Sequence, residues 1–497
     1  MNLAKLQNGS DLRGIALAGV PGEEVNLTEE ACRAAGRGFA LFLTKRYGKE
    51  RTLRVAIGRD SRLSGERLSH DMCEALTSEG IAVFDVGLAS TPAMFMSTVT
   101  EGFAFDGAVM VTASHLPFNR NGFKFFVREG GLESSDIREL LTLAESGEHT
   151  GLPCATVEKI EFMPTYAALL ADLIRRETGE DKPLAGLHIV VDAGNGAGGF
   201  YANEVLKPLG ADISGSRFLD PDGRFPNHIP NPEDGNAMKS ITEAVLDAKA
   251  DFGIIFDTDV DRAGAVLSDG SELNRNRIIA ILAVILLRKH PGTTIVTDSV
   301  TSTGLAAFIH AKGGVHHRFK RGYRNVIDEA IRLNEAGQDA QLAMETSGHG
   351  ALKENYFLDD GAYLVTKLVI ELVKGKKEGY TLESLIADLR EPAERAEARM
   401  KIADADFRTY GKRVLADLEE FVSGTAGLSL VPNNYEGVRV NADDKHGNGW
   451  FLLRLSLHEP LLSLAMESDS AGGVAEIKSV LRPFLTRYDK LDLSKFS

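Results

Sequence analysis

The sequence predicts an α/β fold in which three topologically similar α/β repeats and a smaller C-terminal α+β domain surround a central cleft. Three observations carry this reading. At 497 residues the chain exceeds what one hydrophobic core organises, and such a length divides into roughly three to four domains. Three segments echo one another: LRVAIGRDSRLSG (Leu53 to Gly65), LHIVVDAGNGAGG (Leu187 to Gly199) and TTIVTDSVTSTGL (Thr293 to Leu305). Each reads as a β-branched strand, a Gly/Ser/Asp loop and then a helical pattern, the opening of a βα unit. From residue 393 the pattern changes to closely spaced strands and an amphipathic helix, which is an α+β arrangement.

Taken in order, the first repeat (1–158) passes through a glycine into a second strand, GIAVFDVG, and a third, GAVMVTASH, that delivers a polar loop. The second (159–264) continues through GADISGS to FGIIFDTDVDR, and the third (265–392) through GGVHHRFKRG to QLAMETSGHG. The apolar run Ile278 to Leu287 in the third repeat reads as a buried helix, being far short of the ~20 residues a membrane span needs. The last domain (393–497) reads strands first, YEGVRVN, GWFLLRLSL and LLSLAMES, with a helix from Ala471 to about Arg487. The charged, Pro-containing stretch around Glu391 to Arg399 reads as a joint on which that domain rotates.

Composition excludes several classes of function. Hydrophobic residues at 43% and charged residues at 26% are those of a soluble globular protein. The net charge of -15, with no long Lys/Arg run, lacks the footprint of a nucleic-acid binder and is repelled by anionic lipid. Any anionic substrate therefore needs a locally basic site. Three widely spaced cysteines, Cys32, Cys73 and Cys154, form no CxxC pair, and the N-terminus carries no apolar core of a signal peptide. Both point to the reducing cytoplasm. No oligomeric state is legible.

The chemistry is expected in the three strand-end loops, where α/β sheets place ligands. In the first, Ser114 stands beside His115, with Asn121, Gly122 and Lys124 behind. Neighbours on an extended loop point apart, so His115 is poorly placed as the base of Ser114. In the second, Asp257, Asp259 and Asp261 alternate after an apolar strand; three hard oxygen ligands suit Mg²⁺. The EF-hand alternative fails because its sixth and twelfth positions hold Arg262 and Ser268. In the third, Glu345, Ser347 and His349 combine an acceptor, a hydroxyl and an imidazole. In the tail, Arg454, Ser456 and His458 alternate on an extended segment, a spacing that suits either a phosphate clamp or an amphipathic edge strand. Gly194, Gly196 and Gly199 satisfy a dinucleotide fingerprint, but Asp192 just before them opposes a pyrophosphate; the glycines read as serving geometry alone.

Together the loops resemble the α-D-phosphohexomutases, the phosphomannomutase/phosphoglucomutase group, over nearly the whole chain. The motifs that carry the resemblance are TASH-x-P with NG-x-K behind it, D-x-D-x-D-R, E-x-SGH and PDGRFPNHIPNPE (Pro221 to Glu233). The resemblance implies three α/β domains with mixed sheets and a phosphohexomutase that interconverts hexose 1- and 6-phosphates. It also implies that Ser114 is phosphorylated in the resting enzyme and that Asp257, Asp259 and Asp261 hold Mg²⁺ beside it. Lys124 and His349 match the family's proton-transfer residues, Arg13 its N-terminal active-site arginine, and His115 becomes a donor to the phosphate. Arg262 accompanies the metal loop, Glu345 and Ser347 match sugar-hydroxyl ligands, and Arg454 and Ser456 match a distal phosphate clamp. Lys320, Arg321 and Gly322 complete the substrate-binding set.

Two positions depart from the family pattern. Leu116 stands where TASH is usually followed by Asn, and His458 replaces a threonine of the clamp; histidine gains charge as pH falls. The implied ligands are sugar phosphates, with hexose 1,6-bisphosphate as intermediate and activator and with no nucleic acid or membrane. Phosphoglucosamine mutase, hexose-bisphosphate synthase and a silent binding scaffold are the alternatives. Intact Ser114, the three aspartates, Lys124 and His349 stand against the scaffold.

Overall fold

The computed structural model describes residues 3–456 and 459–496. The chain forms two compact units, Met1–Asn274 with Ser347–Glu383, and Arg275–Thr346 with Ser384–Ser497.

In the first unit, the strand Gly107–Val111 is buried at every position, runs parallel to Arg54–Arg59 and pairs antiparallel with Arg120–Val127. Asp11–Ile15 extends this mixed sheet beyond Arg120–Val127, and Ala82–Leu88 extends it on the other side. A second sheet repeats the plan with Phe252–Phe256, parallel to Ile189–Asp192 and antiparallel to Ala263–Leu267. Uniform burial of the two central strands explains their continuous apolar sequences, since both faces are covered. The loops that join these two central strands to the antiparallel strands that follow them, residues 112–119 and 257–262, are the polar loops singled out from the sequence. The helix Gly361–Glu378 packs against Met163–Thr178 within this unit.

In the second unit, Val315–Arg318, Thr294–Thr297 and Ala340–Met344 form parallel pairs about the middle strand. The apolar run is the helix Arg275–Lys289, buried from Ile278 to Ala283 as expected. The tail builds a five-stranded antiparallel sheet in the order Glu394–Lys401, Leu461–Ser468, Gly449–Leu455, Val438–Ala442, Leu428–Leu430. The helices Phe407–Ser423 and Gly473–Leu485 share one core with it through Val414, Leu418, Phe451, Leu462, Ile477 and Leu481.

Three expectations are corrected here. GADISGS forms no strand: Asp212 makes one isolated bridge to His188, and Arg217 just beyond the segment makes another to Asp192. Asp212 accepts from the Ser214 N–H, the Ser216 hydroxyl donates to the Ile213 carbonyl and Gly215 has φ +86°, so local turns outcompete a ladder. The tail's strands do not run uninterrupted to one final helix: after the first strand comes the helix Phe407–Ser423, whose buried Tyr410, Val414, Leu418 and Val422 recur every four residues. The stretch read as a joint is mostly the edge strand Glu394–Lys401, paired residue for residue with Leu461–Ser468. Among the described residues no helix is long and apolar enough to cross a membrane.

Candidate active site

The serine loop is shaped from beneath by a charged residue of the first repeat. Arg62 is 2% exposed and its guanidinium donates to the carbonyls of Ser114, Leu116, Pro117 and Arg120. Asp60 pairs with Arg62 at 3.3 Å and accepts the Thr112 hydroxyl at 2.7 Å. The same Thr112 oxygen accepts the Ser114 N–H at 2.8 Å. These contacts hold Ser114 at φ +49°, a left-handed conformation that a non-glycine residue adopts only when its surroundings impose it.

That conformation overturns the expectation that His115 points away. Its Nδ1 lies 3.3 Å from Ser114 Oγ, because alternation of neighbouring side chains holds only for extended backbone. Burial, then the charges of Arg262 and Arg13, push the His115 imidazole down to about 2. It is neutral at physiological pH and serves as a hydrogen-bonding group. Arg13 donates to the carbonyl of Ala113 at 3.3 Å and pairs with Asp11 at 2.9 Å.

The acidic loop closes on the serine from the second sheet. Ser114 Oγ donates to Asp257 Oδ2 at 2.9 Å and accepts from Arg262 Nη2 at 3.3 Å. Asp257, Asp259 and Asp261 are wholly buried, and one carboxylate oxygen from each lies within 4.8 Å of the others. Lys124 pairs with Asp261 and, at 3.4 Å, with Asp259; Thr91 donates to Asp259 at 2.5 Å from the start of the helix Thr91–Val99.

Lys124, Arg262 and His349 face the three carboxylates unevenly. Burial and the charges of Asp261 and Asp259 push Asp257 well above the carboxylate range. For Asp261 burial acts upward but is outweighed by Lys124, His349 and Arg262, which hold it low. Asp259 Oδ1 and Asp261 Oδ1 are buried with no hydrogen-bond partner among the described residues. Orphaned buried oxygens in an all-oxygen set fit a hard divalent cation.

Within the third repeat the chain after Ala340–Met344 returns to the first unit at Ser347 and brings His349 to this loop. Gly348 and His349 meet Ala263 and Arg262 in a short antiparallel bridge. His349 Nδ1 donates to Asp359 Oδ2 at 2.6 Å and lies 3.8 Å from Asp261. Burial would lower its pKa, but Asp359 and Asp261 outweigh that and raise it to about 9. His349 is therefore a cation at neutral pH. Arg262 is fixed by Asn231 at 3.1 Å and Glu233 at 3.8 Å, which gives PDGRFPNHIPNPE its place. His228 of the same segment pairs with Asp192 at 3.0 Å. A Cβ on Gly196 would meet the Thr258 carbonyl at 2.6 Å, so the glycine-rich loop packs directly behind the acidic loop.

In the second unit, the Gly322 N–H donates to Glu345 at 2.6 Å and the Arg321 N–H to Glu436 at 3.0 Å. Lys320 lies over the Phe319 ring. Arg454 pairs with Glu436 at 3.7 Å. The strand ends at Leu455; the Ser456 N–H still donates to the Leu461 carbonyl at 3.0 Å, and the Ser456 hydroxyl accepts the Glu459 N–H at 3.2 Å. His458 lies outside the described residues. Ser347 belongs to the first unit with His349.

Sequence reasoning missed Arg62, Thr91 and Asp359. Arg62 lay inside a quoted motif, and an arginine among Asp and Ser after a buried strand was the available signal. Thr91 and Asp359 carried none.

Family models described as phosphoglucomutase/phosphomannomutase alpha/beta/alpha domains I, II and III match residues 4–149, 165–270 and 274–392. A phosphomannomutase/phosphoglucomutase of Pseudomonas putida is 32% identical over 436 residues, 88% of each chain. A phosphoglucomutase of Neisseria gonorrhoeae is 30% identical over 94% of each. The crystal structure of a phosphoglucomutase/phosphomannomutase family protein from Burkholderia thailandensis matches with TM-score 0.79 at 27% identity, over 97% of this chain and 96% of that one.

Proposed function

Since the chain belongs to the phosphoglucomutase/phosphomannomutase family, we propose that it interconverts hexose 1-phosphates and hexose 6-phosphates through a phosphorylated Ser114. The observation that carries this reading is Ser114 Oγ held between Asp257 and Arg262 over the buried acidic loop.

In the first transfer a sugar hydroxyl oxygen attacks the phosphorus, a new P–O bond forms, and the bond to Ser114 Oγ breaks. The hydroxyl gives up its proton to the protein and the serine oxygen regains one. Lys124 and His349 are the proton carriers, and His349 starts as an acid because Asp359 and Asp261 keep it charged. The second transfer runs in reverse from the other end of the hexose 1,6-bisphosphate and restores phosphoserine. His115 and Arg262 donate hydrogen bonds to the phosphoryl oxygens, and Arg13 steadies the loop. Asp257, Asp259 and Asp261, with the oxygen on Ser114, would hold Mg²⁺, which when bound neutralises charge on the transferring group. Glu345 and Ser347 bind sugar hydroxyls; Lys320, Arg321, the Gly322 backbone, Arg454 and Ser456 bind the phosphate that is not reacting.

The test is turnover of glucose 1-phosphate with Mg²⁺ and a trace of glucose 1,6-bisphosphate, together with intact mass. The wild type is expected to form glucose 6-phosphate and to carry one phosphoryl group. Ser114→Ala is expected to lose both while staying folded. Full turnover in Ser114→Ala refutes the mechanism.

A further inference from the structure

Within the second unit a carboxylate already occupies the place where the donors of the phosphate clamp converge. Glu436 Oε2 accepts the Arg321 N–H at 3.0 Å and the Ser299 hydroxyl at 2.5 Å, while Arg454 Nη1 stands 3.7 Å from Oε1. A main-chain N–H, a hydroxyl and a guanidinium around one anionic group are the donor set that a phosphate oxygen takes.

The turn that carries Glu436 is built for this approach. Asn434 donates to the carbonyls of Glu436 and Gly437 at 2.9 and 2.8 Å. Gly437 has φ +58°, and a Cβ there would meet the Leu453 carbonyl at 2.2 Å. Only glycine lets the turn lie flat on the strand that bears Arg454. The Arg454 side chain is 19% exposed and Glu436 is the one carboxylate within ion-pair distance of it among the described residues, with Glu397 and Asp298 acting on it from farther away, so the guanidinium retains donors for an incoming anion. Burial and the charge of Arg321 disfavour the Arg454 cation, and Glu436 opposes both.

We propose that Glu436 is a positioning residue that sets the strength of this clamp. It keeps Arg454 and the Arg321 turn together when no phosphate is bound, and its charge weakens their hold on a phosphate dianion. This rests on the phosphohexomutase reading above, in which the bisphosphate must release its non-reacting phosphate before its other end can react. A clamp of full strength would hold the intermediate in one orientation.

The experiment compares wild type with Glu436→Gln, which keeps an acceptor oxygen for Ser299 and Arg321 and removes the charge. Inorganic phosphate is titrated calorimetrically into each protein, and KM and kcat for glucose 1-phosphate are measured. Glu436→Gln is expected to bind phosphate and to lower KM by about threefold to tenfold, the size of a partly exposed charge effect, with the gain shrinking at high salt. Its kcat is expected to fall, since release becomes harder. Glu436→Asp, which withdraws the same charge by one methylene, gives a smaller gain. In the Arg454→Ala background Glu436→Gln gives none. Unchanged or weaker phosphate binding in Glu436→Gln, or an equal gain without Arg454, overturns the proposal. Failure of the mutase reading registers separately, as a wild type that turns over no hexose phosphate while the phosphate titration still decides the role of Glu436.

Discussion

Replacing Arg62 tests how the serine loop gets its shape. The guanidinium is buried and donates to four carbonyls of residues 114–120 while facing Asp60. Arg62→Ala leaves those acceptors without their donor and Asp60 buried without its counter-charge. Breaking a buried pair in this way costs about 3 to 5 kcal/mol. Arg62→Lys restores a charge but, as a point donor, reaches one or two of the carbonyls; the remaining loss is about 2 kcal/mol. In both variants Ser114 loses the frame that enforces its left-handed conformation. A displacement of about 1 Å in a reacting group costs on the order of 10²-fold in rate, so kcat is expected to fall about a hundredfold in Arg62→Lys with KM nearly unchanged. Urea unfolding gives the stability, and steady-state kinetics with intact mass gives turnover and phosphoserine content. An Arg62→Lys enzyme with wild-type kcat and midpoint would refute the reasoning.

Three further outcomes are expected. Mg²⁺ at a hundredfold excess over its Kd should raise the stability of the wild type by about 2.7 kcal/mol, and Asp259→Asn should lose most of that rise while melting higher than wild type in EDTA, because one repelling charge is gone; an equal Mg²⁺ effect in both would remove the acidic loop as the metal site. Glu467, which accepts Trp450 Nε1 at 3.0 Å, is raised by burial to about 7, with Arg395, Trp450 and Arg439 acting downward and Glu391 upward. The folded state then holds a proton that the unfolded state gives up above about 4.5, so stability falls as pH rises from there through 7, by up to about 3 kcal/mol; Glu467→Gln should remove that slope in urea titrations across the window, and a slope unchanged would falsify the assignment. Glucose 1-phosphate and mannose 1-phosphate should both be substrates, with kcat/KM within about two orders of magnitude, because Glu345 and Ser347 by resemblance read the 3- and 4-hydroxyls and leave carbon 2 unread; inert glucose and mannose phosphates beside active glucosamine phosphates would favour the phosphoglucosamine reading.

The sequence by itself determined the α/β repeats and the loops that carry chemistry. Ser114, the alternating aspartates and the Ser-Gly-His triplet each follow a short apolar strand, and such signals are local: a buried strand, a break in periodicity and a cluster of polar residues within ten positions. The tertiary structure decided what those loops touch. Thr91 reaches Asp259 across 168 residues of chain, and Arg62 reaches Ser114 across 52. His115 was misread for a related reason, since its direction depends on a left-handed φ at Ser114 that Arg62, Asp60 and Thr112 impose. The same holds for the tail: the helix Phe407–Ser423 and the edge strand Glu394–Lys401 were present as patterns, but only their packing on Leu461–Ser468 and the shared core fixed them. Local propensity selects elements, whereas the partner of a buried charge is chosen by which surfaces meet when the sheets pack, and no spacing along the chain encodes that meeting.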